Sequence, residues 1–469
     1  MEALLDAVDA LLANGAEPVR PDLEITEEEG VSGGIHTHLQ LRVTEKGKGW
    51  FATKQIPAGA RLILAKPIAM IMASEEDEDA MEEEDEEEKD DDEDEEREPR
   101  INELLLLRIL DRLQTEPNLW NDTISTLFPR DDADLSKLPA WVCEDDEVFI
   151  QVETAIAKLD EIPQLAGQSK SISKRLPLII RYNILSVETC PEMLSYPGPG
   201  GHAALSGVGL YHLPSFFNHS SRPNCSRWAV GDVMGVVTNQ DIPAGTEACI
   251  SYIEHDVLCE SPFRRNSMLR MDFTDSIGEK ETVASYDEEE GPTFPVVDPD
   301  VQNELMEMDP FERLSAIEEL MQQAAGAKPP EEGESGQADD GMDADGTAWF
   351  QCDLQNLRIL KAITLDALGK SNEALALWEE SVAFTETMLP PADESSVVMR
   401  VQAALCALHI GGTGKAQGHA AMALQTHNLL FGGGVKLFRR RFAKDLRLSF
   451  RSTTAGVDSP ANVLWPLSP

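Results

Sequence analysis

One stretch constrains the chain more than any other: Tyr211 to Tyr252, YHLPSFFNHSSRPNCSRWAVGDVMGVVTNQDIPAGTEACISY. It opens with aromatic and apolar residues, turns at Asn218-His219-Ser220-Ser221, and continues the turn through Arg222-Pro223-Asn224-Cys225. Asn and Ser side chains bond nearby backbone groups, so such clusters between apolar runs mark turns. An alternating β segment is expected at Val233–Val237, then a turn at Pro243-Ala244-Gly245, then a short strand ending at Ser251-Tyr252. A simple turn explains NHSS. It does not explain the ordered offsets from NHSS to IPAG and ISY.

A second β-rich stretch lies far upstream. Residues 37–45, THLQLRVTE, alternate with period two, as a half-buried strand does. Lys46-Gly47-Lys48-Gly49-Trp50-Phe51-Ala52 follows, then KQIPAGARLILAKPIAMIM, and the IPAG turn predicts a small hairpin. The glycines by themselves indicate a turn, and they lack the spacing to Gly-Lys-Ser/Thr of a P-loop.

Taken together, the two stretches resemble the two halves of a SET domain, the fold of most protein lysine methyltransferases. The downstream half supplies Asn218-His219-Ser220, Pro223-Asn224, Ile242-Pro243-Ala244-Gly245-Thr246-Glu247 and Ile250-Ser251-Tyr252 in the family's order, and GKGWFATKQIPAGARLIL fits its opening. Arg181-Tyr182-Asn183-Ile184-Leu185-Ser186 is similar to the signature that closes the family's helical insert. The resemblance implies an S-adenosyl-L-methionine site. Gly47 would let backbone approach the donor, with Lys46 or Lys48 pairing its carboxylate. Asn218 and His219 would hold the donor, with Asn183 and Phe273 as further contacts. Tyr252 would be the catalytic residue, orienting the lysine amine in a low-polarity channel that favours its uncharged form.

The chain resembles the SET-and-MYND group of this family, with two departures. Its zinc finger is replaced here by Glu75–Glu98, 20 acidic residues against Lys89 and Arg97, a block expected to be disordered. Its second channel tyrosine and post-core zinc cysteines are missing: the matching stretch is Met268-Leu269-Arg270-Met271-Asp272-Phe273-Thr274. No bound metal is therefore expected. The loss of the tyrosine favours a rival reading, a SET-like scaffold without turnover that binds protein partners.

The expected fold class is α+β: a split SET β-fold with a helical insert, followed by an all-α, tetratricopeptide-like C-terminal domain. The expected divisions are an N-terminal helix or linker over 1–36, the two SET halves over 37–74 and 206–274, and the acidic insert over 75–99. The helical insert spans 100–205, an acidic linker with one helix 275–347, the repeat-like helices 348–445, and a tail 446–469 whose last fifteen or so residues are expected to be disordered. LGKSNEALALWEESV carries the repeat resemblance, and Gly369 and GGTG at 411–414 predict tight interhelical turns. Arg439-Arg440-Arg441 reads as a solvated basic helix face.

Composition narrows the setting. Seven scattered cysteines without a C-x-x-C pair point to a reducing, intracellular compartment, nucleus or cytoplasm. A formal charge of −46 disfavours bare nucleic acid and anionic lipid and suits a basic protein substrate of histone or ribosomal type. The acidic start lacks the features of a signal or transit peptide, and no apolar run is long enough to span a membrane. A monomer is expected.

Overall fold

The computed structural model describes residues 31–32, 34–44, 47–72, 101–136, 138, 150–187, 207–230, 232–253, 258, 299–326, 347–390, 392–432, 434–442, 446 and 460–466. The acidic block at 75–98 lies outside them. The upstream strands are β1 (Val31–Ser32), β2 (Ile35–His36), β3 (Leu39–Thr44), β4 (Gly47–Ala52), β5 (Arg61–Ala65) and β6 (Ala69–Met72). The downstream ones are β7 (Ile184–Ser186), β8 (Gly207–Leu210), β9 (Asn218–His219), β10 (Cys225–Val230), β11 (Val233–Thr238) and β12 (Glu247–Ile250). They form three sheets, ordered β1-β2-β5-β11-β10, β3-β4-β12-β9 and β6-β8-β7. Every sheet mixes upstream and downstream strands, so neither stretch completes a sheet alone. β1 and β2 fall before residue 37, where a helix or linker was expected; β2 pairs with β5 through Ile35 and Ile63.

The two Ile-Pro-Ala-Gly turns face each other across a local two-fold axis. Ile56 and Ile242, both fully buried, exchange backbone hydrogen bonds of 2.9 and 2.8 Å. The Gly59 amide donates to the Thr238 carbonyl at 2.8 Å, and the Gly245 amide donates to the equivalent Ala52 carbonyl at 2.7 Å. Gly59 and Gly245 have φ of +80° and +86°, a region in which a side chain is strained. The same tetrapeptide thus recurs because the same turn is built twice.

Between the halves lie α1 (Ile101–Thr115), α2 (Asn118–Asp122), a 3-10 turn (Ile124–Thr126), α3 (Asp132–Leu135), α4 (Ile150–Leu159) and α5 (Ser169–Asn183). α1 turns Leu105, Leu106, Ile109, Leu110 and Leu113 onto β6 and β8, in the spacing of one helical face. Arg108 and Arg112 from the same helix donate to the Met70 and Ile68 carbonyls beside β6. Arg175 of α5 is buried, lies 5.2 Å from the Trp120 ring, and donates to the Pro129 and Ser125 carbonyls at 3.1 and 2.9 Å. Those bonds replace the water a buried guanidinium gives up.

The C-terminal region is helical: α6 (Pro299–Glu307), α7 (Pro310–Gly326), α8 (Thr347–Ala367), α9 (Ser371–Met388), α10 (Glu394–His409), α11 (Thr413–Leu430), α12 (Gly434–Arg441) and α13 (Pro460–Leu464). The linker's single expected helix is two, broken at Asp309-Pro310, where proline at N1 starts a new helix. α8 through α11 pack each on the next. Gly369 (φ +74°) and Gly411 (φ +77°) close the expected tight turns, and the Lys370 amide returns to the Leu365 carbonyl at 2.8 Å. Two expectations are overturned. Residues 460–466 are not a loose tail: Trp465 is buried, stacks 5.0 Å from Phe438, and donates from Nε1 to the Ala420 carbonyl at 2.9 Å. Nor is Arg439 solvated. It is fully buried and donates to the Trp465 and Ala461 carbonyls, while Arg441 pairs with Glu394 and lies 3.8 Å from the Phe431 ring. Arg439 thus holds α13 down, and Arg441 ties α12 to α10.

Two measurements follow. Gly245→Ala is expected to lower stability by about 1–2 kcal/mol, whereas Gly418→Ala, on the exposed side of α11 with open space around it, raises it by up to ~1 kcal/mol. Urea unfolding of the two variants beside the parent checks both signs. The second concerns His427, which is fully buried among Phe431, Phe438 and Phe442 at 5.1, 5.2 and 6.4 Å. Burial first, and the Arg441 charge second, push its pKa from 6.5 down to about 3. The unfolded chain therefore takes the proton first, and this contribution to stability is full above pH 6.5 and lost as pH falls towards 3. Across that window the parent's urea midpoint falls more steeply than that of His427→Leu.

Candidate active site

The site is assembled where β4, β9 and β12 meet. β9 runs parallel to β12, with Asn218 opposite Cys249 and His219 opposite Ile250. The chain leaves β12 through Ser251 into Tyr252, whose amide donates to Nδ1 of the buried His219 at 3.0 Å. Nδ1 is thus an acceptor, which in the neutral ring puts the proton on Nε2. The two rings lie 5.4 Å apart at 51°, and the Tyr252 hydroxyl donates to the Phe217 carbonyl at 2.8 Å. The 217–219 segment therefore holds Tyr252 at its backbone and at its phenol. Burial first, then Cys249 and Glu247, push that phenol above its usual range, so the hydroxyl is neutral at physiological pH.

The two glycines of GKG differ in what they permit. Gly47 has φ +111°, and a Cβ there would meet nothing within 4 Å, so its requirement is conformational and the space beside it is open. At Gly49 the space is filled: a Cβ would collide with the Glu247 carboxylate and lie 2.8 Å from Asn218 Nδ2. The cause is strand register. Glu247 stands opposite Phe51 on β4, and cross-strand partners share a face with the residue two positions away, here Gly49. Glu247 leans across the glycine and accepts from Asn218 Nδ2 at 2.6 Å; the same amide nitrogen lies 3.4 Å from the Lys48 carbonyl. Asn224 fastens the strand from its other side, donating to the Glu247 carbonyl and accepting from the Cys249 amide, both at 2.8 Å.

Lys48 and Trp50 face the segment that precedes β9, and Lys48 also reaches the helical insert. Trp50 Nε1 donates to the Leu213 carbonyl at 3.0 Å. The Lys48 ammonium sits 5.2 Å from the Phe216 ring and 3.4 Å from the Thr126 carbonyl, and burial first, then Arg130, lower its pKa. The Thr126 hydroxyl in turn meets His212 Nε2 at 3.0 Å. Asn183, at the end of α5, is buried and donates to the Phe128 and Ile179 carbonyls at 2.6 and 2.8 Å, while Ser215 Oγ donates to its carbonyl at 3.3 Å.

Of the residues singled out from sequence, the fold gathers Asn218, His219 and Tyr252 around the β4–β9–β12 junction, which Lys48 joins through its carbonyl, while Gly47 pairs with Thr44 of β3 at the start of β4. The described contacts of Asn183 tie the insert to the segment preceding β9. Lys46, Met271 and Phe273 lie outside the described residues. Glu247 and Asn224 stood inside the quoted motifs without an assigned role. Their positions in the Pro-Asn and Gly-Thr-Glu segments were the available signal.

Residues 47–253 match the family model described as SET domain, and the mixed sheets are a SET fold joined to a helical C-terminal region. No curated protein matches the sequence. Among solved structures, one match is the crystal structure of the SET domain of LSMT bound to lysine and AdoHcy, at 11% identity over 99% of this chain and 88% of that one, with a TM-score of 0.27. So low a TM-score leaves that likeness without bearing on residue positions.

The Asn224 bridge gives a direct test of the site's framework. Asn224→Ala leaves the Glu247 carbonyl and Cys249 amide without this partner and is expected to cost about 2–3 kcal/mol of stability in denaturant titrations.

Proposed function

We propose that residues 47–253 transfer a methyl group from S-adenosyl-L-methionine to the side-chain amine of a lysine in a protein substrate. The observation that carries this reading is the gathering of Asn218, His219 and Tyr252 where β9 and β12 meet β4, within a segment matching the SET domain. One end of such a donor finds a matching group. Its amino-acid part needs an acceptor for an ammonium, and Asn218 has its Oδ1 left once Nδ2 is engaged. The Lys48 ammonium projects from the opposite face of β4, against Phe216 and the Thr126 carbonyl.

When bound, the donor supplies an activated methyl on a sulfonium for a single in-line displacement, so the protein's work is positioning. Tyr252, neutral and fixed by Phe217 and His219, orients the incoming amine through its hydroxyl oxygen rather than acting as a base. Buried Phe217 and Ile250 make the surroundings poorly solvating for an ammonium and favour the uncharged, nucleophilic lysine.

The wider reading places the chain near the SET-and-MYND group, with α8–α11 as a tetratricopeptide-like surface for partners. The charge of −46 favours a basic protein substrate. A monomer in the nucleus or cytoplasm completes it. Calorimetry with S-adenosyl-L-methionine, followed by methyl incorporation into histone and ribosomal proteins read by mass spectrometry, tests the activity. Tyr252→Phe is expected to lose about 10–100-fold in turnover while its donor affinity stays within about threefold. Because the phenol does not ionise in the working range, the parent's rate rises with pH as the substrate lysine deprotonates, without a downturn below about pH 10. Absence of donor binding by the folded parent would overturn the reading.

A further inference from the structure

Glu247 takes no part in the reading above, yet its carboxylate stands at the centre of the junction. It reaches Asn218 only because Gly49 has no side chain; a Cβ there would occupy the path of the carboxylate. The reach is supported from behind, since Asn224 fixes the Glu247 carbonyl and the next amide but one, at Cys249.

The consequence lies in the orientation of the Asn218 amide. An asparagine side chain is nearly symmetric in shape, and its neighbours decide which end is oxygen and which is NH2. Both groups against this end of Asn218, the Glu247 carboxylate at 2.6 Å and the Lys48 carbonyl at 3.4 Å, are acceptors. An ionised carboxylate cannot donate, so NH2 must face them and Oδ1 must face away. The same negative charge is felt at Tyr252, where Glu247 contributes to the raised phenol pKa.

We propose that Glu247 is a positioning residue for the methyl donor: by holding the Asn218 amide in one orientation across Gly49, it presents Oδ1 as an acceptor and makes the site selective for a ligand bearing an α-ammonium group. This rests on the donor reading and deepens it. Glu247 touches no reacting atom; it acts through Asn218. A glutamine at 247 offers both a donor and an acceptor, so it pairs with either orientation of Asn218 and leaves only the longer contact to the Lys48 carbonyl, at 3.4 Å, to select between them.

The test uses the full chain and two probes, S-adenosylhomocysteine and its analogue lacking the α-amino group, titrated by calorimetry into the parent and into Glu247→Gln. The parent is expected to prefer the ammonium-bearing ligand. In Glu247→Gln that ligand weakens about tenfold, the deaminated analogue changes less than about twofold, and the preference collapses. Glu247→Asp, one methylene too short to span Gly49, is expected to behave the same way, and it decides the matter if the glutamine variant does not fold. Equal weakening of both ligands in a folded variant, or no change in either, overturns the role of Glu247 while leaving the donor site standing. Failure of the folded parent to bind either probe overturns the donor site and this proposal with it.

Discussion

The Ile56–Ile242 bridge is the contact on which the remainder of the SET fold depends. It joins segments separated by the whole helical insert, and it does so with backbone hydrogen bonds that every residue but proline can make. The flanking glycine amides tie the same two segments again through the Thr238 and Ala52 carbonyls. Once the two turns are face to face, β5 lies beside β11 and β4 beside β12, and the mixed sheets follow. The core is shared in the same way: one cluster takes buried residues from both halves and from the helical insert.

From that junction the site is built by short, polar, highly directional contacts. Tyr252 is placed by His219 and Phe217, and Asn218 by Glu247 and the Lys48 carbonyl. Half-buried polar groups of this kind are costly when unpaired, so each bond made also excludes alternative rotamers. The helical insert contributes in the same manner, through Thr126 at Lys48 and Asn183 against the Phe128 carbonyl. The C-terminal helices have their own core, and a side chain at Gly59 of the first IPAG turn would meet Leu429 on α11, with a Cβ 3.5 Å from its Cγ.

Much of this was legible in the sequence because it depends on local chemistry. Period-two alternation marks β3 and β11, glycines mark turns with positive φ, and the ordered motifs single out Asn218, His219 and Tyr252. What escaped depended on partners distant in sequence. Three consecutive arginines look like a solvated face until Arg439 is seen beneath the carbonyls of Ala461 and Trp465. The short segment at 460–466 has too few residues to declare itself as structure; it is ordered by the Trp465 contacts with Phe438 and Ala420. The early strands β1 and β2 were missed for the same reason, being two residues each and defined by pairing alone.

The sequence by itself determined which residues could carry the chemistry: the glycines, the Asn-His pair and the tyrosine are set by residue type, and their order along the chain is unambiguous. Only the tertiary structure decided how those residues are oriented. GKG reads as two equivalent glycines, yet Gly47 borders open space and Gly49 is covered by Glu247. That difference arises from the register of β12 on β4, and register is fixed by pairing across nearly two hundred residues of chain, which no local pattern encodes.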